Sequence, residues 1–440
     1  ASKKKQKDYD VMRITSQTSL KSNAILDMST FELTINGVPE IFISHAQKVF
    51  IFPSDGRIVM RKNRNFSFIG KVRAGLFEFY SGECSFEYDS FRVNLPTIDS
   101  IDFLVRKYET DTLVDDDSDR AWESGSDLVK VRSVLENLSG YILIDKYDNK
   151  SGLISYPDYP IFTSQGNAYV YYDDHKIYNG VYDRENFYYE LDPFTIDSLD
   201  DFSTEGIEFT GYLASADIMP IIHEPLMVMP DSYLGFKSET PEGGFDIYNG
   251  KAKYTDKFQL DGNGLTGEGI LKYLTSNSIS KNYVFYPDST TSLAEDFEVA
   301  PQLADVEYPE IKGTQIRELF KPYQDKLLAW NTSTPFTIFN QANFEGEILL
   351  TPRNTYGDGS FLFEKAAIES NLFDFNHHSL AADTSDFFLY TDTNRVQLAF
   401  NALGYMSQMD FEARMGAFNS NGISSMLEFP FNQYVCNMDE

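Results

Sequence analysis

From Val49 onward the chain is written in short apolar bursts: "VFIF" at 49–52, "FSF" at 66–68, "LFEF" at 76–79, "SFEY" at 85–88 and "FRVNL" at 91–95. Each has period-two character and is set off by Gly, Asp, Ser or Asn, the pattern of β-strands joined by tight turns. "PSDG" at 53–56 is such a turn, with Pro presetting φ and Gly accepting a positive one. Further on, "YVYY" at 169–172, "NFYYEL" at 186–191 and "GIEFTGYL" at 206–213 run large apolar residues together, which predicts strands covered on both faces. One stretch departs from this rhythm. Leu128, Val131, Leu135 and Leu138 fall at spacings of 3, 4 and 3, with Ser126 or Asp127 as N-cap and Gly140 just past the end. That spacing predicts an amphipathic helix of about three turns, although the β-branched Val129 and Val131 argue for another strand.

The chain also echoes itself. "GEGILKYLTSNSISKNYVFYP" at 267–287 is matched by "GDGSFLFEKAAIESNLFDFN" at 357–376. Gly267 and Gly269 correspond to Gly357 and Gly359, and Leu271 and Tyr273 to Phe361 and Phe363. A one-residue slip then aligns Ile279 with Ile368 and Asn282 with Asn371, and Asp296-Phe297 echoes Asp386-Phe387. Phe-x-Gly followed by alternating residues recurs at Phe68, Phe209 and Phe344. Such self-similarity predicts stacked copies of one supersecondary unit, each Gly relieving a turn. The expected fold is all-β: an elongated, repetitive arrangement of short strands, built as a β-helix or groove or as consecutive β-sandwiches, with at most one or two short helices. The expected segments are a β region at 1–113, an acidic loop and short helix at 114–140, a β segment at 141–205, and β repeat units at 206–335 and 336–440.

Composition narrows what such a fold does. The 440 residues include 36 Phe and 28 Tyr against 2 Trp, which favours strands. Asp and Glu number 67 and Lys and Arg 37, and a formal charge of −30 repels nucleic acid. Cys84 and Cys436 form no disulfide framework or zinc pair. No apolar run is long enough for a membrane helix, and "ASKKKQKDYD" lacks the apolar core of a signal peptide. A start in "ASKKK" and a stop just after a strand-like pattern suggest a piece of a longer protein.

The candidate chemistry thins out under inspection. "DGNGLTGEG" at 261–269 has glycine and aspartate like a calcium turn but no tandem copies, and reads as two strand turns. Asp115, Asp117 and Asp119 alternate as in a calcium loop, yet Arg120 stands where the EF-hand needs Gly and Ser126 where it needs Glu. "HEPLM" at 223 has Met227 in place of a second zinc histidine, and His377 and His378 would point to opposite faces of a strand. His45 and His175 stand alone. Arg57, Arg61, Lys62, Arg64, Lys71 and Arg73 form a basic cluster that either docks phosphate groups or an acidic partner or pairs with acids across strands. No catalytic, cofactor-binding or metal-binding residue is assigned. The chain is read as non-enzymatic and without a cofactor.

The phrases "INGVPEIFIS", "KNRNFSFIGKVRAGLFEFY", "YPIFTSQGNAYVYYD", "EPLMVMPDSYLGF" and "LEFPFNQYVC" resemble those of very large, uncharacterised cell-envelope proteins of Bacteroidota. The resemblance covers most of the chain and implies a periplasmic or outer-membrane-associated location and a repetitive β-architecture. The "F-x-G-x-L" rhythm is also similar to AsmA and TamB-like proteins, which implies a lipid-conducting groove. The leading expectation is a non-enzymatic envelope scaffold or interaction module, whose partners are other envelope proteins or the remainder of a longer chain. A lipid groove and a glycan-binding or glycan-cleaving surface protein are the alternatives.

Overall fold

The computed structural model describes residues 13–17, 23–44, 46–106, 128–203, 208–364, 366–389, 398–410, 415–420, 423–428 and 435–438. The acidic loop with Asp115, Asp117 and Asp119, and His45, lie outside them. The chain is all-β, and among the described residues the strands form a 16-stranded and an 18-stranded sheet. Apart from an isolated parallel bridge between Arg106 and Ser203, the pairings are antiparallel, so the strands are not the parallel coils of a β-helix. The chain divides into two compact units: residues 1–215, 221–236 and 260–263, and residues 216–220, 237–259 and 264–440. No helix among the described residues is long and apolar enough to cross a membrane.

Strands are longer than the apolar bursts suggest, because much of the polar punctuation lies inside them. "LFEF" and "SFEY" belong largely to one strand of 11 residues, Phe77–Glu87, and the next, Arg92–Arg106, has 15. Ser81, between the two bursts, marks a β-bulge rather than a turn. Likewise Gly267 and Gly269 sit within strand Gly264–Tyr273, and Gly357 and Gly359 within Thr355–Phe363. Both pairs flank a register shift against the following strand.

The bulges share one chemical solution. Ser81 lies opposite Gly70, Ser280 opposite Gly269 and Ser370 opposite Gly359. Each serine hydroxyl donates to a carbonyl of the next strand: Thr97, Leu293 at 2.9 Å and Thr384 at 2.6 Å. Those carbonyls lie where pairing in the following ladder is interrupted, so the hydroxyl supplies the missing donor. The register equates Ser278, not Ile279, with Ile368, since Ser278 pairs with Leu271 and Ile368 with Phe361. The one-residue slip inferred from sequence is therefore unnecessary.

The helix expected over 128–138 is absent. Leu128–Lys130 pairs with Leu104–Arg106, and Leu135–Leu143 pairs with Arg92–Arg106 and Ile161–Ser164. Polar groups between them are satisfied by another segment: Arg132 N–H donates to Ser232 O at 2.8 Å, and the Ser133 hydroxyl accepts from Leu234 N–H at 2.8 Å. The helical spacing arose from two strands whose alternation is broken by a bend. Leu128, Val129, Val131, Leu135 and Leu138 are all buried.

Alternation puts one side of strands such as Phe66–Ala74 and Ile311–Lys321 into a filled core. In the first unit Phe77 stacks on Phe103 at 5.1 Å and meets Phe202 edge-on at 4.8 Å, while Phe79 lies 4.9 Å from Phe162. In the second, Tyr254 packs edge-on against Tyr283 and Phe285 and Phe344 edge-on against Phe373 and Phe375, while Tyr273 lies tilted against Phe320 at 4.8 Å. Edge-to-face contacts of this kind add about 0.5–1.5 kcal/mol each beyond burial.

Gly267 and Gly357 are where strands pass directly over these rings. A Cβ on Gly267 would lie 2.3 Å from the Tyr254 hydroxyl and 3.0 Å from the Phe285 ring; on Gly357 it would lie 2.6 Å from the Phe375 ring and 3.0 Å from Phe344. Gly267→Ala and Gly357→Ala are expected to destabilise the second unit by about 1–3 kcal/mol each through overpacking, Gly267→Ala more strongly. Ser280→Ala, which strips the Leu293 carbonyl of its donor, is expected to cost about 1 kcal/mol. Urea denaturation checks all three, and values within about 0.5 kcal/mol of wild type would contradict the packing described.

Candidate functional site

In the first unit, strands Ala168–Tyr171, Phe187–Leu191 and Gly211–Ser215 lie side by side. Ala168, Val170, Phe187, Tyr189, Leu191 and Leu213 point into the core and are buried. The opposite parity sends Tyr169, Tyr171, Tyr188, Glu190 and Tyr212 outward, where they are half-buried. The apolar runs therefore do not mark strands covered on both faces. They are alternating strands in which tyrosine, with an apolar body and a polar tip, serves on either side. Tyr172 and Tyr189 do so inside, donating to Leu234 O at 2.9 Å and Glu224 O at 2.7 Å.

Register aligns the outward residues in rows. Glu136, Tyr169, Glu190 and Tyr212 succeed one another across adjacent strands, and Tyr171 lies opposite Tyr188. The Tyr169 and Tyr171 rings are nearly coplanar in direction, 6.1 Å apart at 12°, and Tyr188 meets Tyr169 edge-on at 5.7 Å. Beside them, the Arg184 guanidinium lies 4.4 Å over the Tyr171 ring. It is held by Asp173 at 2.7 Å and Glu136 at 3.4 Å. The Tyr212 hydroxyl donates to Glu190 Oε2 at 2.6 Å, and the Asn167 amide donates to Oε1. Asn137 donates to the Tyr171 hydroxyl at 3.3 Å, and the His223 ring lies 6.0 Å from Tyr212.

These contacts and burial raise the pKa of three of the groups. The hydrogen bond to Glu190, reinforced by burial, pushes the Tyr212 phenol up to about 12. Burial and the Glu190 charge also raise Tyr169, and the bond to Asp173 raises Arg184. The face presents phenol hydroxyls, carboxyl groups, amides and a guanidinium around aromatic planes. Such a surface is suited to hydrogen bonding and stacking.

The basic cluster disperses. Lys71 and Arg73 converge on buried Glu78, at 2.9 and 3.1 Å, and stand over the Phe52 ring. Burial alone would raise Glu78, but Lys71, Tyr80 and Arg73 hold its carboxyl below the usual range. Arg61 pairs with Glu32, Lys62 lies over Phe31 and Arg64 over Tyr88. Arg57 and Arg61 also line a groove of about 480 Å³ together with Asp55, Glu83 and Cys84. Burial pushes the Cys84 thiol up to about 11, which keeps it protonated. His377 and His378 lie in the turn between strands Ala366–Phe375 and Ser379–Leu389, not on a strand, with rings 5.7 Å apart.

Tyr169, Tyr171 and Tyr188 belonged to apolar runs noted in the sequence, but their shared outward face did not emerge there. Separating "AYVYY" and "FYYEL" by parity would have exposed it. Tyr212 joins the face through cross-strand register, and Arg184 and Asn167, which lie outside the strands, through their contacts with Asp173, Glu136 and Glu190. Compared with known protein families, curated proteins and solved structures, the chain has no match.

Proposed function

We propose that the chain is a non-enzymatic interaction module of the cell envelope, and that the tyrosine face of its first unit binds neutral glycan. The observation that carries this reading is the pair of aligned rings, Tyr169 and Tyr171, flanked by Glu190, Asn137, Asn167 and Arg184. Pyranose rings offer apolar C–H faces for stacking and equatorial hydroxyls for hydrogen bonds, so aromatic planes edged by carboxylate and amide groups match them. Phenols kept protonated supply donors that a carboxylate cannot. The excess of acid over base across the chain disfavours anionic polymers and leaves neutral sugars as the better fit.

The inner faces support the same reading over a lipid groove. Their aromatic side chains are packed against one another, as in an ordinary core, and occupy the space an acyl chain would need. The corresponding bulges at Gly267–Gly269 and Gly357–Gly359 support the further proposal that the second unit contains copies of one strand module, serving as scaffold.

Affinity electrophoresis against a panel of neutral and acidic polysaccharides tests the binding. Wild type is expected to be retarded by at least one neutral glycan, and Tyr169→Ala/Tyr171→Ala to bind about tenfold or more weakly. Tyr147→Ala, an exposed tyrosine elsewhere in the unit, should behave as wild type. Retardation by no neutral glycan, or equal retardation of the double variant, contradicts the proposal.

A further inference from the structure

In the second unit, strand Ile311–Lys321 turns an acid inward. Glu318 is 3 % exposed and pairs in register with Ser292 of strand Ser289–Val299. The Ser292 hydroxyl donates to Oε2 at 2.6 Å, while Oε1 has no hydrogen-bond partner. Close by lies a hydroxyl pair: Ser278 Oγ and the Tyr283 hydroxyl are 2.9 Å apart, and Tyr283 also donates to Ser278 O at 2.8 Å. The elements around the acid offer it no compensating charge. Ser289–Val299 presents Thr290 and Ala294 on the same face, Lys326–Asn331 presents Leu327 and Ala329, and its own strand presents Ile316 and Phe320. The titratable neighbour is Tyr283, whose phenol is held protonated by burial and by Glu318 itself.

The scaffold does not require this polar cluster. At the corresponding positions of the later stretch, with the same bulge and register, Ser278 is replaced by Ile368, Tyr283 by Phe373 and Ser292 by Ala382, all buried. Hydrocarbon thus takes the place of the three hydroxyl-bearing residues, and opposite Ala382, where Glu318 stands opposite Ser292, the later stretch has Ser407 instead of an acid. A buried carboxylate without a cationic partner costs stability, so a cluster built around one makes the packing conditional on its protonation.

We propose that Glu318 is a proton-operated latch. As the neutral acid it lies within the hydroxyl cluster and keeps strands Ser289–Val299 and Ile311–Lys321 closed; on ionisation these strands loosen. Burial pushes the carboxyl from its ordinary 4.5 up to about 7, against the smaller opposing effects of Ser292 and Ser278. Because the folded value lies above the unfolded one, the folded chain binds more protons between them. The stability this group contributes is complete below about pH 4.5 and is lost as pH rises through about 7. The latch is therefore closed in acid and released on the alkaline side of neutrality.

Hydrogen exchange of the whole chain, read by mass spectrometry from pH 4.5 to 8.5 and corrected for intrinsic rates, tests this. In wild type, protection of residues 289–299 and 311–321 is expected to fall with rising pH by at least about tenfold, and by no more than roughly a few hundredfold. Glu318→Gln should remove that pH-dependent fall. Ser292→Ala, which deletes a bond favouring the carboxylate, should move its midpoint to higher pH. Identical pH profiles for wild type and Glu318→Gln overturn the proposal. If Glu318→Gln does not fold, Ser292→Ala decides: an unmoved midpoint overturns the latch, and an upward shift supports it.

Discussion

In an antiparallel strand every second side chain is committed to the same face, and in both units that face is closed by aromatic rings packed against one another. Phe77 on Phe103 and Phe202 in the first unit, and Tyr254 on Tyr283 and Phe285 in the second, are the contacts through which the sheets hold a defined inner side. Once those rings occupy the interior, the outward parity is left to chemistry. The placement of Tyr169, Tyr171, Glu190 and Tyr212 follows from the burial of Val170, Tyr189 and Leu213 beside them. A one-residue slip in any of these strands would exchange the two sets and destroy core and face together.

Bulges reconcile long strands with this constraint. Gly267 and Gly357 let backbone pass over a ring where no side chain fits, and Ser280 and Ser370 return a donor to the carbonyls that the bulges leave open. Strand class was legible in the sequence because aromatic and β-branched residues recur with period two. Strand length was not, because a glycine or serine inside a strand at a bulge looks the same in one dimension as one at a turn. The false helix over 128–138 has a similar origin: a bend at residues 132–134 separates two strands, and its extra residues imitate helical spacing. Bulge and turn differ only in where distant backbone lies.

The polar features were readable to different depths. Parity alone places Tyr169 with Tyr171 and Tyr188 with Glu190, so half of the tyrosine face can be written from local sequence. Tyr212 enters it through register with Glu190 on the neighbouring strand, and Arg184, in a turn, through its ion pairs with Asp173 and Glu136. For Glu318, parity with Ile316 and Phe320 in "IRELF" signals an acid on an apolar face. That its Oε1 is unpartnered while Oε2 is held by Ser292 depends on strands folding together. The two sites also differ in kind. The face is an outward surface whose carboxylates and guanidinium are mutually engaged, whereas the buried acid opposes the stability of the core that contains it once it is ionised.

The division between a closed inner face and a working outer one is open to direct test by tyrosine nitration of the folded chain, mapped by mass spectrometry with and without a bound neutral glycan. The account predicts nitration of Tyr169, Tyr171, Tyr188 and Tyr212, their protection by glycan, and no reaction at buried Tyr172 and Tyr189. Nitration of Tyr172 or Tyr189 in the folded chain, or outer tyrosines that react equally with and without glycan, would contradict it.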